Sequence, residues 1–195
     1  MFNTVIHAVR HRFHRENAES QTTAAERAAL SRHIVLRKTA AEIGVYEGVT
    51  TAILASNMAA DGSLYAVDPF FPGRVGICWA RQIALREVSR SAATAKVHWI
   101  RDLSHNAVKQ ISTDFDFIFL DGDHSLGGIT RDWNDWAPRV IAGGIFALHD
   151  TRIPAHDPTV AGLGSYQYFE SHIRSDARFE LVEQIDSLSI LRKRA

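Results

Sequence analysis

The sequence of 195 residues has the length of one α/β domain, and 46% hydrophobic with 23% charged residues is typical of a soluble globular protein with a sizeable core. Its net charge of zero gives no reason to expect nucleic acid or an anionic membrane as a partner. The single cysteine, Cys78, excludes an internal disulfide, and no apolar run approaches the roughly 20 residues of a membrane span. Because the N-terminus also lacks the apolar core of a secretory signal, we expect a cytoplasmic protein.

The first 38 residues differ from the rest in charge. They hold seven Lys and Arg against three Asp and Glu, whereas the remainder carries a net charge of −4. Helical periodicity covers residues 4–15 and 22–35, and the second helix begins at the threonine-rich cap of "TTAAERAALSRHI". We expect residues 1–38 to form an arm or lid on a globular body of residues 39–195, with a basic, solvated helix face as the simpler alternative. That face would expose the histidines of the first helix, His7, His11 and His14.

From residue 39 onward, short apolar segments alternate with longer stretches of helical periodicity, which is typical of parallel strands covered by helices. The predicted strands are "AAEIGV", "SLYAVD", "KVHWI", "FDFIFLD" and "GGIFALHD". The predicted helices between them are "VTTAILASNMA", "RVGICWARQIALREVSR", "SHNAVKQI" and "LGGITRDWNDWAPRVI". A further helix, "TVAGLGSYQYFESHIRS", precedes "FELVEQIDSLSILRKR", which indicates two strands around a tight turn at Asp186–Ser187. The sequence therefore predicts a Rossmann-like, doubly wound and mostly parallel α/β sheet of about seven strands, with helices on both faces and a C-terminal antiparallel hairpin.

The predicted strands end in ionisable or glycine-rich residues. Ligands of doubly wound sheets gather at the carboxyl ends of the strands, so these residues are the candidates for a site. The first strand leads into "EIGVYEGVTT", in which Gly44 and Gly48 could bring backbone N–H groups close to a ligand. The G-x-G-x-x-G of nicotinamide-binding loops is absent, because Glu42 occupies its first glycine position. A tight strand-to-helix turn without a ligand explains the two glycines about as well.

A carboxylate at the end of the second strand narrows these alternatives. Asp68 follows Gly48 by twenty residues and is placed to accept both hydroxyls of a ribose. Together with Glu42 and the two glycines, it resembles the nucleoside-binding half of the class I S-adenosylmethionine-dependent methyltransferases. The resemblance implies that the glycine loop, with Tyr46 inside it, passes under the methionine, that Asp68 holds the ribose, and that Glu42 orients the loop through hydrogen bonds. It places next to the adenine the residues after the third strand, Asp102, Leu103 and Ser104.

The C-terminal half carries a more specific resemblance. The stretch "FDFIFLDGDHSLGGITRDWNDWAPRVIAGGIFALHDT" is similar to the metal-assisted small-molecule and sugar O-methyltransferases, and the likeness spans roughly residues 39–151. It implies that Asp121, His149 and Asp150 bind a divalent metal, Mg²⁺ or Mn²⁺, and that Asp121 also lies beside the cofactor. His124 is the implied general base, because imidazole titrates near neutral pH.

His149 departs from this pattern, since the first of the paired ligands is usually an acid in these families. Imidazole suits Mn²⁺ better than Mg²⁺, which prefers oxygen ligands. Either the metal differs, or the metal has been lost and His149 binds substrate or acts as a base. Two further acids have plainer interpretations: Asp123 as a helix N-cap, and Asp116 at the entry end of its strand.

The leading hypothesis is methyl transfer from S-adenosylmethionine to a hydroxyl of a small molecule or sugar. One alternative is a methyltransferase-like domain that binds the nucleoside as a non-catalytic partner in a biosynthetic complex. Another is a different Rossmann-like enzyme, such as a nicotinamide-dependent reductase or a hydroxylase-like relative. The basic N-terminal helices are compatible with a homodimer.

Overall fold

Residues 2–73 and 76–195 are described by the computed structural model, with side chains from residue 4 onward. Within these ranges, the strands are β1 (Thr39–Ile43), β2 (Ser63–Val67), β3 (Lys96–Ile100), β4 (Phe115–Leu120), β5 (Val140–Leu148), β6 (Phe179–Ile185) and β7 (Leu188–Lys193). They form one sheet in the order β3-β2-β1-β4-β5-β7-β6. The first five are parallel, and β7 is antiparallel to both β5 and β6. The predicted Rossmann-like sheet with a C-terminal hairpin is confirmed.

The helices are α1 (Phe2–Arg12), α2 (Ala24–Ile34), α3 (Val49–Asn57), α4 (Trp79–Arg90), α5 (Ser104–Gln110), α6 (Leu126–Trp136) and α7 (Gly164–Tyr168). The predicted helix before the hairpin is broken into a 3₁₀ turn at Pro158–Gly162, α7, and a π turn at Phe169–Ile173. The start of the helix predicted before β3 includes Arg74 and Val75, which lie outside the described residues. None of the helices in the described ranges is long and apolar enough to cross a membrane.

The central strand β4 is buried because helices cover both faces of the sheet. Its apolar side chains are at most 3% exposed. Asp116 lies at the entry end, as predicted, where its carboxylate accepts the backbone N–H groups of Lys38 (2.8 Å) and Thr39 (3.1 Å). This acid therefore joins the start of β1 to β4, while the rest of the strand carries the core.

The N-terminal helices pack on the body of the protein, α1 against α4 and α2 against α3. Two of the three histidines predicted to be exposed, His7 and His11, lie on α1 and face inward, whereas His14 follows the end of the helix. His11 is 2% exposed and lies 2.6 Å from a carboxylate oxygen of Glu87. His7 lies between Glu16 (2.8 Å) and Glu47 (3.0 Å). The prediction of an exposed histidine face is wrong for these two residues, because acids of the body and of the following loop face them.

Candidate active site

A cavity of about 510 Å³ lies at the carboxyl ends of β1, β2 and β4. Its wall combines the loop after β1, the end of β2, the start of α5 and the end of β4. Within this wall are most of the predicted cofactor residues: Gly44, Tyr46, Asp68, Asp102, Ser104 and Asp121. The other two, Glu42 in β1 and Gly48 at the start of α3, do not line the cavity.

The two loop glycines are required by close packing. Gly44 has φ +90°, and a Cβ there would lie 1.9 Å from the carbonyl oxygen of Asp121. Gly48 has φ +79°, and a Cβ there would lie 2.7 Å from Cα of Ala84. Neither the left-handed backbone nor the space admits a side chain. The glycines therefore fix the loop against the end of β4 and against α4.

Asp68 binds the glycine loop directly. One carboxylate oxygen accepts the N–H groups of Val45 (3.0 Å) and Tyr46 (3.1 Å), and the other accepts that of Phe70 (2.7 Å). A carboxylate offers about four acceptor positions, so capacity remains for a ligand hydroxyl. Asp68 thus holds the loop in the shape that forms the cavity wall.

Glu42 is fully buried beneath this loop. Neither of its carboxyl oxygens has a hydrogen-bond partner among the described residues. Burial raises the pKa of Glu42 well above its ordinary value, and the charges of Asp121 and Asp68 raise it further. The neighbouring Thr51 opposes this shift, although its hydroxyl does not reach hydrogen-bond geometry with the carboxyl group. The role assigned to Glu42 by the resemblance, to orient the loop through hydrogen bonds, stays a prediction.

Backbone hydrogen bonds bring the ends of β4 and β5 together. The Asp121 N–H donates to the Ile43 carbonyl (2.8 Å), and the His149 N–H donates to the Leu120 carbonyl (3.0 Å). Asp150 then leaves the strand at φ 52°, a left-handed conformation that aspartate tolerates better than most residues. The predicted ligands after β5 are consequently placed beside the end of β4.

The four residues predicted to carry the chemistry form one cluster. His149 Nδ1 lies 3.1 Å from an Asp121 oxygen and 3.5 Å from an Asp150 oxygen. The His124 ring lies between the same two acids, with Nε2 3.6 Å from Asp121 and Nδ1 3.5 Å from Asp150. These are ion-pair distances, and the Asp121–His149 contact lacks hydrogen-bond alignment.

A fifth member of the cluster, Glu26, comes from α2. Its carboxylate accepts His149 Nε2 at 3.2 Å and both the N–H and the hydroxyl of Ser187 at 2.8 Å. The sequence contains one local signal for this glutamate, since Thr23 and Glu26 form a capping box at the start of α2. No local pattern indicates the contact with His149, which lies 123 residues away.

The central histidine and this glutamate have opposite and complementary pKa shifts. Burial lowers the pKa of His149, but Asp121 and Glu26 outweigh it and raise the pKa to about 10. Burial raises the pKa of Glu26, but His149 outweighs it and lowers the pKa to about 2. At neutral pH, therefore, a buried imidazolium lies among three carboxyl groups.

The predicted metal ligands do not fit a divalent metal as they are arranged. Across residues 2–73 and 76–195, no three His, Cys, Asp or Glu side chains are placed to hold a metal ion. A metal ligand must offer a lone pair, whereas His149 directs Nε2 at the carboxylate of Glu26 and Nδ1 toward that of Asp121. The cluster of Asp121, His149 and Asp150 is an ion-paired arrangement.

A second cavity of about 480 Å³ lies beside His124, between the start of α6 and α7. Asp123 lines both cavities and so marks where they meet. The prediction that Asp123 caps α6 is wrong: the cap is Ser125, whose hydroxyl accepts the N–H of Gly128, while Asp123 accepts the N–H of Ser125. The remaining wall is formed by Leu126, Leu163 and Gln167, among others.

The sheet, the glycine loop and the acids at the strand ends together define a class I methyltransferase fold, as the motifs predict. Residues 41–151, more than half of the chain, match the family described as "Methyltransferase domain", and the chain belongs to this family. None of the curated proteins matches the chain.

Solved structures share the fold at low sequence identity. An O-methyltransferase from Bacillus cereus, in complex with SAH, aligns with a TM-score of 0.68 and 16% identity, covering 98% of this chain and 91% of the other. The O-methyltransferase TomG from Streptomyces achromogenes, involved in tomaymycin synthesis and in complex with SAM, aligns with a TM-score of 0.68 and 14% identity. The alignment covers 98% of this chain and 90% of TomG. The N-methyltransferase NodS from Bradyrhizobium japonicum aligns with a TM-score of 0.56 and 15% identity, covering 88% of this chain and 94% of NodS. At these identities the likeness establishes the fold.

Proposed function

We propose that the protein transfers a methyl group from S-adenosylmethionine to a hydroxyl oxygen of a small molecule or sugar. One observation carries this proposal: Asp121 lines the large cavity and also belongs to the cluster that contains His124. A cofactor in the cavity would therefore lie within reach of a general base. The related structures solved with SAH and SAM support the same cofactor.

The cavity suits an adenosine with a charged amino-acid tail. Its walls include apolar surfaces from Pro69, Phe71 and Leu103 as well as the carboxylates of Asp68 and Asp102. Apolar walls with a few convergent polar groups are typical of cofactor sites. We assign the ribose to Asp68, the adenine side to Asp102 through Ser104, and the methionine to the glycine loop around Tyr46.

His124 is the proposed base. The acceptor oxygen attacks the methyl carbon in line with the carbon–sulfur bond, that bond breaks, and the sulfonium becomes the neutral thioether of S-adenosylhomocysteine. The acceptor proton passes to His124, and the adjacent carboxylates of Asp121 and Asp150 stabilise the imidazolium formed. The His124 side chain is 29% exposed and opens to the second cavity, from which an acceptor can approach.

The placement of His149 does not support the metal assistance that the resemblance implies, and no step above depends on a metal. Asp121 and Asp150 carry the oxygen ligands that Mg²⁺ or Mn²⁺ prefers, whereas His149 as placed does not complete a metal site. We therefore expect methyl transfer to persist after exhaustive chelation with EDTA. A loss of transfer that Mn²⁺ or Mg²⁺ restores would contradict this expectation.

We also propose that residues 1–38 act as a lid over the cofactor. Residues 19–22 form part of the cavity wall. The Tyr46 hydroxyl donates to the Glu19 carboxylate (2.6 Å), and the Glu19 N–H donates to the Glu47 carboxylate (2.6 Å). The segment after α1 is thus held to the glycine loop at both its backbone and its side chain.

The test of this function has two stages. Isothermal titration with S-adenosylmethionine, S-adenosylhomocysteine and NAD measures which nucleoside binds, and we expect binding of the two sulfur nucleosides only. Transfer of a deuterated methyl group is then measured to catechol, to a methyl glycoside and to a primary amine, since a neighbour in fold is an N-methyltransferase. Binding without transfer to any acceptor would favour the non-catalytic partner, and no binding of either sulfur nucleoside would overturn the proposal.

A further inference from the structure

Glu26 has an environment that a helix cap alone does not require. It is 1% exposed and accepts four hydrogen bonds, from Thr23 N–H (2.7 Å), the two donors of Ser187 (2.8 Å each) and His149 Nε2 (3.2 Å). The capping box accounts for the first contact, and the β6–β7 turn accounts for the second and third. The contact with His149 joins α2 to the chemical cluster.

We propose that Glu26 is a positioning residue of the methyl-transfer site, which fixes the ring of His149 and, through that ring, the carboxylate of Asp121. The inference rests on the proposed function, because it assigns Asp121 to that site. It also extends the site beyond the methyltransferase-domain match, which begins at residue 41. The N-terminal arm would then supply part of the active-site framework as well as a cover.

The chain of contacts is continuous and buried. The His149 side chain is 5% exposed and lies with an edge toward the Phe119 ring, at 6.4 Å between ring centres. Glu26 holds Nε2 on one side of the ring, and Asp121 lies 3.1 Å from Nδ1 on the other. The far oxygen of this chain belongs to Asp121, which lines the cofactor cavity and contacts His124. A rotation of the His149 ring would therefore move or release the acid next to the reacting groups.

Glu26 is itself held firmly, as a positioning residue must be. Besides Ser187, the hairpin turn contributes Asp186, whose carboxylate accepts the Thr23 hydroxyl at 2.7 Å. Breaking a buried charge pair leaves the remaining charge without compensation, so His149 depends on Glu26 for both orientation and charge. The groups that face the His149 ring are Glu26 from α2, Asp121 from the end of β4 and Asp150 from the end of β5.

The test replaces Glu26 by glutamine, which preserves side-chain size and one acceptor oxygen, removes the charge opposite His149, and turns the other acceptor into an N–H₂ donor. For the Glu26→Gln variant we expect wild-type affinity for S-adenosylhomocysteine, since the cavity wall is untouched. We expect kcat for catechol or the methyl glycoside to fall on the order of 10- to 100-fold, the usual effect of a small displacement in a reacting site. The ¹⁵N resonances of the His149 ring, measured at neutral pH, should differ from those of the wild type, because Nε2 loses its charged acceptor.

A matched control is a glutamate on β6 that contacts the same helix, α2. Glu183 on β6 contacts His33 of α2 at 2.9 Å, which reproduces a glutamate–histidine pair away from the cavity. The Glu183→Gln variant should keep both the wild-type kcat and the wild-type resonances of His149. This control separates an effect on the site from a general loosening of α2 on the sheet.

Two results would overturn the inference: a folded Glu26→Gln variant with wild-type kcat, or unchanged His149 ring resonances in that variant. If the variant fails to fold, the ring spectrum of the wild type decides, because a ring held by the Glu26 carboxylate must carry a proton on Nε2. A ring that carries its proton on Nδ1 alone would contradict the proposal. Failure of the proposed function would appear separately, as a wild-type protein that binds no S-adenosylhomocysteine.

Discussion

Two buried glutamates near different strand ends of this sheet have pKa values shifted in opposite directions. Glu26 lies next to the end of β5, is 1% exposed and accepts four hydrogen bonds. Glu42 lies in β1, is fully buried and has no hydrogen-bond partner among the described residues. The pKa of Glu26 is lowered to about 2, whereas the pKa of Glu42 is raised well above its ordinary value. The solvent exposure of the two residues is nearly the same, but Glu42 lies deeper in the protein and lacks the hydrogen-bond and charge partners that lower the pKa of Glu26.

Asp121 connects these two environments. Its charge raises the pKa of His149 on one side and adds to the raised pKa of Glu42 on the other. The carbonyl of the same residue lies against Gly44 of the cofactor loop. The end of β4 therefore influences the pKa values of both His149 and Glu42, and it packs against the glycine loop.

The largest loss of stability is expected when Glu26 is replaced by alanine. The Glu26→Ala variant leaves His149 as a buried charge with one fewer counter-ion and should lower the free energy of unfolding by about 3–5 kcal/mol. Urea denaturation measures this change. Glu183→Ala removes the partly exposed pair between β6 and His33 of α2, and it should lower the free energy of unfolding by less than about 1 kcal/mol. Equal losses in the two variants would mean that burial and partner number do not distinguish these glutamates.

The second effect concerns the acid shared by both environments. The Asp121→Asn variant keeps the size of the side chain but removes its charge, and methyl transfer should fall by about 100-fold or more because the proposed base loses one of its two carboxylates. The pKa of Glu42 and that of His149 should both fall, since Asp121 raises each of them. Steady-state kinetics and ring resonances of His149 measure the two parts. Wild-type transfer in a folded variant would remove Asp121 from the mechanism.

A smaller effect, a gain in stability, is expected when Glu42 is replaced by glutamine. Because its folded-state pKa is raised, this carboxyl group costs stability above pH 4.5, where the unfolded chain has lost the proton. The Glu42→Gln variant should therefore be more stable than the wild type at neutral pH, and the gain should vanish below pH 4.5. Thermal unfolding at the two pH values tests this expectation. A loss of stability at neutral pH would mean that the carboxylate has a partner that the contacts above do not include.

The Glu26–His149 pair also predicts a pH dependence of stability. The His149 pKa of about 10 exceeds the ordinary 6.5, so its contribution is complete below pH 6.5 and is lost as the pH rises through 10. The Glu26 pKa of about 2 lies below the ordinary 4.5, so its contribution is complete above pH 4.5 and is lost as the pH falls through 2. The stability difference between wild type and Glu26→Gln should therefore be largest between pH 4.5 and 6.5. A difference that grows toward pH 10 would contradict the pairing.

Much of the fold could be predicted because strands and helices leave periodic patterns in the chain. Apolar segments gave the positions of the parallel strands, and the turn at Asp186–Ser187 marked the hairpin. The break at α7 was not predictable from periodicity, since the π turn that follows it is a single turn of five residues, too short to leave a pattern of its own. The inward face of α1 was equally hidden, because its histidines face the acids of another helix and of loops.

For the site, the chemical groups at the ends of the strands could be predicted from the sequence, since motifs such as "DGDHS" and "HDT" are local and follow apolar runs. Their convergence on one edge followed from the parallel sheet. Their partners depend on the tertiary structure: Glu26 reaches His149, Asp68 holds the glycine loop, and Glu42 has no hydrogen-bond partner among the described residues. The physical reason is that charge state in a protein interior depends on neighbours brought together by folding, and those neighbours are distant in the sequence.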